Sequence, residues 1–159
     1  MTNGSALQVL GAHPFATGFE PEHRSRLAEM TRQVHFEPNQ IIFREGDDYS
    51  VFYLLVEGMV ALELEIPGHV LRVQTLYAGD VFDWSALLLH AGKHFQARAL
   101  DRVTALAVEG EELLASFKTH PDFGLAFMLR LMGVVSERLR ATRMQLLDMY
   151  SPIAKRAGA

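Results

Sequence analysis

The 159-residue chain contains no cysteine and a single tryptophan. Without thiols there is no disulfide framework, no thiolate metal site, no iron–sulfur ligation and no cysteine nucleophile. Long hydrophobic runs are missing as well, since none approaches the roughly 18–20 residues needed to cross a bilayer. Met1 to Leu10 lacks the basic segment and apolar stretch of a secretory signal, so a cytoplasmic protein without membrane association is expected. Nor is there an excess of positive charge. With 15 basic against 19 acidic side chains the formal net charge is −4, which argues against direct nucleic-acid binding through a basic surface. What is present is apolar: 49% of the residues are hydrophobic, too many for a disordered chain. The length suits one compact domain with a real core.

Three zones follow one another. Residues 1–32 read as a helical segment, because Glu20-Pro21-Glu22 places acids and a proline where a first helical turn favours them, with Leu27 and Met30 at helical spacing. From 33 to 110 the period changes. Gln40-Ile41-Ile42-Phe43, Val51 to Val56, Met59 to Ile66 and Val70 to Leu76 are short β-branched or aromatic runs. Glu45-Gly46-Asp47-Asp48, Glu57-Gly58, Pro67-Gly68 and Ala78-Gly79-Asp80 separate them as turns. Gly46, Gly58 and Gly79 fall at reversals, where a positive φ is commonly needed. Leu62-Glu63-Leu64-Glu65-Ile66 alternates strictly and predicts a strand with one dry and one wet face. Short strands at near-regular spacing, uninterrupted by helices, predict an antiparallel sandwich or barrel.

The third zone, 111–150, is helical, with 151–159 as a tail. Leu125, Met128, Met132, Val135, Leu139, Thr142, Leu146 and Met149 follow at steps of 3, 4, 3, 4, 3, 4 and 3. This heptad seam predicts a helix about 45 Å long at 1.5 Å per residue. A two-in-seven stripe is narrower than a core-facing helix usually carries, which points to pairing with a second copy as a homodimer; packing on the chain's own barrel is the competing reading. Thr142 breaks the apolar seam, and such a position fixes register or faces a ligand.

In this order the segments resemble the cyclic nucleotide-binding domains of the Crp/Fnr superfamily. His13-Pro14-Phe15 is similar to the motif before the first helix, and Phe43-Arg44-Glu45-Gly46-Asp47 to a strand-and-turn signature. Phe52 to Val60 resembles the next strand pair, and Gly79-Asp80-Val81-Phe82 the lead-in to the phosphate-binding cassette, here 79–99. The resemblance implies an α+β, mainly β fold: an antiparallel β-roll or jelly-roll barrel flanked by N-terminal helices and a long C-terminal dimerisation helix. It also implies a cyclic nucleotide or other small anionic ligand, regulatory rather than enzymatic work, and a ligand site drawn from Gly79, Asp83, Trp84, Ser85, Ala86, Lys93, His94 and Thr142.

Within the cassette the resemblance is one of spacing, because the residue types differ. Trp84 stands where the family has a glutamate that accepts from the ribose hydroxyl, and an indole offers a donor and no acceptor. Lys93 stands at the phosphate-binding arginine and lacks its bidentate fork. His94 replaces a small hydroxyl residue. Asp83 replaces a glycine, where it is expected to cap the short helix and to oppose an anion. Losing two charge-assisted partners at about 2 kcal/mol each weakens binding by roughly three orders of magnitude. Reduced or altered cyclic nucleotide affinity is therefore expected, with Trp84 either plugging the pocket or stacking on a ligand. Arg98, five residues past Lys93, points to the other strand face and is a poor substitute.

Other chemistry has weaker support. His90 and His94 are four apart, but Gly92 between them argues for a loop rather than a metal-binding helix. His13, His23, His35, His69 and His120 are scattered singly, as surface histidines usually are. Ser85 lacks a nucleophile elbow. Asp47-Asp48 and Glu111-Glu112 suit a turn and a helix start. Arg138, Arg140 and Arg143 read as a solvated helix flank beside Glu137 and Asp148. After Tyr150 too few residues remain for a helix-turn-helix. Three functions stay open: a homodimeric sensor domain acting through a protein partner, a ligand-free interaction scaffold, and the effector half of a transcription regulator.

Overall fold

The structure, a computed structural model, describes residues 3–48, 50–88 and 93–157, with Asn3 and 151–157 by backbone alone. Two helices, α1 (Asn3–Ala12) and α2 (Pro21–Met30), precede the strands. These are β1 (Arg32–Phe36), β2 (Ile41–Phe43), β3 (Val51–Glu57), β4 (Val60–Ile66), β5 (His69–Leu76), β6 (Val81–Phe82), β7 (Gln96–Ala99) and β8 (Val103–Glu109). A single 3-10 turn, Trp84–Leu87, lies between β6 and β7, and α3 (Gly110–Thr119) and α4 (Pro121–Ala157) follow β8. Every strand pair is antiparallel, in two four-stranded sheets ordered β1-β8-β3-β6 and β2-β7-β4-β5. The chain is thus the helix-flanked, mainly β roll expected from its strand spacing. No helix of the described residues is long and apolar enough to cross a membrane.

The continuous apolar runs of β3 and β8 have a direct cause. Successive side chains on a strand point to opposite faces, and the first sheet is covered on both. Phe52, Leu54, Leu106 and Val108 face a core shared with the helices. Tyr53, Leu55, Ala105 and Ala107 face the interior of the roll, with Leu62 and Leu76 of the second sheet. The helix-side core is aromatic: Phe127 of α4 lies 5.1 Å from Phe15 and 5.4 Å from Phe52, both edge to face. Phe123, Phe127 and Leu131 are the buried face of α4.

Two expectations need correction here. The alternation of β4 does not translate into alternating burial: Glu63 is buried, while Ile66 is exposed. A bulge between Leu62 and Glu63 shifts the register against β5, and the far end of the hairpin projects beyond the core. Glu63 is satisfied in place, accepting from Gln96 Nε2 at 3.0 Å and Arg98 Nε at 3.1 Å. His35 and His69 are exposed, but His13 is not a surface residue. Its Nε2–H donates to the Leu55 carbonyl at 3.0 Å, and its Nδ1 accepts from the Phe15 amide at 3.2 Å, which pins the N-terminal segment to β3. Burial pulls His13 below its ordinary value, only partly opposed by that carbonyl and by Asp80.

Candidate functional site

The cassette begins at the turn joining β5 to β6. Gly79 there has a φ of 97°, and a Cβ on it would stand 3.0 Å from Pro14 Cγ. Glycine is what lets this turn press on the N-terminal segment. The Tyr77 amide donates to Asp80 Oδ2 at 2.8 Å and closes the turn. From the other side α3 presses closer still, for a Cβ on Gly110 would lie 2.4 Å from the Ala86 carbonyl oxygen. The 3-10 turn is thereby held between α3 and the roll, with Ala86 and Leu87 buried.

Asp83 does precede this turn, but it caps no backbone amide. Its backbone is left-handed (φ 65°, ψ 44°) instead of the extended form of a side-chain cap. Its carboxylate instead accepts from Ser85 Oγ at 2.6 Å and from the Lys93 ammonium. Both side chains of the Asp83–Lys93 pair are 2% exposed. Lys93 Nζ also lies 4.9 Å from the centroid of the Phe43 ring. Burial pushes the Asp83 carboxyl above its ordinary value, and the hydrogen bonds from Lys93 and Ser85 and the Lys93 charge pull against that rise. The cation at the cassette's phosphate position is thus matched by the chain's own carboxylate.

Around the pair lies a cavity of about 310 Å³ between the roll and α4. Asp83, Trp84, Ser85, Lys93, His94 and Thr142 line it, so the structure brings together six of the eight residues named from the sequence. Gly79 and Ala86 are not part of the lining: the first supports the turn and the second packs into the helix-side core. Sequence reasoning missed much of the apolar wall, namely Phe43, Leu62, Val73 and Phe95, and it missed Gln74. His90 and Gly92 lie outside the described residues, so the His90–His94 spacing has no structural counterpart here. Arg98 is turned away, bonded to Glu63 and, at 3.3 Å, to the Asn39 carbonyl.

Arg138 is the main departure from the sequence reading. It is no solvated flank but part of the cavity wall, its guanidinium 4.6 Å from the centroid of the Trp84 ring and donating to the Val81 carbonyl. The signal was present, because Arg138 extends the row of buried Phe123, Phe127 and Leu131 and half-buried Val135 along one face of α4. Burial lowers it to about 10, a value that leaves it charged at neutral pH. Trp84 packs against the helix-side core with one part of its ring and faces the cavity with another.

The heptad seam lies largely in the open. Leu125, Met128, Met132, Leu139, Leu146 and Met149 are exposed, Leu139 at 70% and Met149 at 71%. Val135 is half buried against the core. Val135, Leu139 and Thr142 belong to seam and cavity wall at once. The Thr142 hydroxyl donates back to the Arg138 carbonyl at 3.0 Å. The helix itself has 37 residues, roughly 55 Å at 1.5 Å per residue and longer than expected.

No curated protein matches the chain. Solved structures match it in fold. A cyclic nucleotide-binding domain from Methylobacillus flagellatus superposes with a TM-score of 0.79 at 16% identity, covering 92% of this chain and 83% of that one. The catabolite activator protein of Thermus thermophilus gives 0.69 at 24% identity, over 87% of this chain and 63% of that one. The regulatory subunit of a cAMP-independent protein kinase A from Trypanosoma cruzi, bound to guanosine, gives 0.69 at 18% identity, over 99% and 50%. Residues 33–120, more than half of the sequence, match the family described as "Cyclic nucleotide-binding domain". On that match, and on a roll whose cassette closes against a long C-terminal helix, the chain belongs to the cyclic nucleotide-binding domain family.

Proposed function

We propose that this chain is a non-catalytic, ligand-sensing regulatory domain that works as a homodimer through α4 and has lost tight cyclic nucleotide affinity. The observation that carries this reading is the buried Asp83–Lys93 pair. A cyclic phosphate arriving at Lys93 has to compete with a carboxylate already in place and to tolerate its charge in a site of low dielectric. Trp84 adds no acceptor for a ribose hydroxyl. The fold accommodates ligands without a cyclic phosphate elsewhere, as the guanosine-bound Trypanosoma cruzi subunit illustrates. The dimer rests on the exposed seam of α4, and a cytoplasmic location fits both the charge and the hydropathy of the chain.

A ligand-free scaffold is the second reading, favoured by the stacking of Arg138 on the Trp84 ring within the cavity wall. Titration tests the loss of cyclic nucleotide affinity on which the first reading rests. Trp84 is the sole tryptophan, so its emission reports on the cavity directly. With cyclic AMP and cyclic GMP we expect no saturable change below about 1 mM, given the roughly thousandfold weakening that two lost charge contacts imply. Saturation in the micromolar range would overturn the reading.

A further inference from the structure

The cassette end of the cavity holds a self-cancelling pair, whereas the α4 end holds a cation with no such match. Arg138 touches an indole face and a backbone carbonyl, neither of which bears a formal charge. Among the described residues no carboxylate lies within 4.0 Å of it. Asp80 is the acid whose field reaches it, and that carboxylate is already engaged by the Tyr77 amide. A guanidinium has five N–H donors, so a bond to one carbonyl leaves most of them to spend. Phe43, Leu62, Val73 and Phe95 supply an apolar stretch of wall, with Gln74 and His94 also lining the cavity. At about 310 Å³ the space stands at the small end of the roughly 300–1,000 Å³ typical of ligand pockets.

We propose that the cavity binds a compact aromatic carboxylate, its anion paired with Arg138 and its ring lying against Phe43 and Phe95. This rests on the reading that the cavity is the ligand site, and it moves the anion-recognising cation from the cassette to α4. The charge logic favours a carboxylate over a phosphate ester. One guanidinium matches one planar carboxylate in a bidentate fork, whereas a phosphate dianion would bring a second negative charge into a cavity that Asp83 also lines. Pairing with Arg138 would set the ligand directly against the helix that carries the seam.

The test uses the full chain with 1-naphthoate and its uncharged isostere 1-naphthamide, followed by Trp84 emission and by calorimetry, with cyclic AMP run in parallel. We expect 1-naphthoate to bind once per protomer and at least about tenfold more tightly than the amide, the difference a buried charge-assisted pair supports. In Arg138→Met that preference should vanish while amide binding persists, and the persistence shows that the cavity still forms. In Arg138→Lys, which keeps the charge, a reduced preference should remain. Equal binding of both probes to the unaltered chain, an undiminished preference in Arg138→Met, or no binding of either probe would overturn the proposal. Micromolar cyclic AMP binding that survives Arg138→Met would instead sink the reading of a disabled cassette, whatever the naphthoate result.

Discussion

At the scale of single residues, Asp83 decides what the cassette can do. It holds a left-handed backbone that costs a non-glycine residue about 1–2 kcal/mol, and it is the counter-charge of a buried ammonium. Asp83→Gly relieves the first and forfeits the second, and breaking a buried ion pair by removing one partner costs about 3–5 kcal/mol. The loss outweighs the gain, so the variant should melt below the parent chain in plain buffer. Millimolar cyclic AMP should raise its melting temperature and leave the parent unmoved, because in the variant the Asp83 carboxylate no longer competes with a phosphate for Lys93. A variant that ignores the nucleotide would show that Asp83 is not what blocks the site.

His13 makes the second residue-scale prediction. Its folded value lies below the ordinary 6.5, so as pH falls the unfolded chain takes up the proton first. Stability contributed by neutral His13 is complete above about pH 6.5 and drains away as pH drops toward the folded value. Urea midpoints measured at about pH 7.5 and about pH 5.5 should therefore fall more steeply for the parent than for His13→Gln, which keeps an N–H within reach of the Leu55 carbonyl. Parallel slopes would place the proton-linked group elsewhere.

At the scale of elements, close approach matters more than propensity. Gly110 opens α3 at a point where any Cβ would meet the Ala86 carbonyl oxygen at 2.4 Å, and backbone cannot move aside as a side chain can. Gly110→Ala should cost about 1–3 kcal/mol in chemical denaturation and blur the cavity response of the Trp84 emission, since the 3-10 turn must shift with α3. Unchanged stability would mean that α3 slides freely.

The same elements show what a sequence can and cannot disclose. The hydrophobic runs of β3, β4 and β5 and the glycine turns between them were legible because each is a local pattern. β7 was not, because Gln96-Ala97-Arg98-Ala99 carries its core contacts on two alanines, whose burial is visible only once β2 and β4 flank them. The inversion at Glu63 was hidden for a related reason: a bulge changes which face a residue presents without leaving a mark in the strand's composition. In the cavity, the cassette residues were found by order along the chain. Arg138 was read as solvated because it stands among Glu137, Arg140 and Arg143, all charged, and only the packed row running from Phe123 sets it apart.

At the scale of the whole molecule, α4 is apolar on two faces, one spent on the core and one exposed, and the cavity opens between them. Val135, Leu139 and Thr142 serve both the wall and the seam. If two copies pair along that seam, the ligand and the second protomer act on the same helix, and their effects must be reciprocal. Leu139 and Leu146 separate the two roles, because Leu139 lines the cavity and Leu146 lies on the seam beyond it. Sedimentation at tens of micromolar should show both Leu139→Asp and Leu146→Asp shifted toward monomer. For Leu146→Asp, whose cavity is intact, 1-naphthoate affinity should be independent of protein concentration and fixed at the monomer's value. For the parent it should change with concentration by about fivefold or more, the lower end of typical coupling energies of roughly 1–3 kcal/mol. Identical, concentration-independent affinities in the two proteins would separate pocket from pairing, leaving α4 as a wall for the ligand and a seam for the partner with no communication between them.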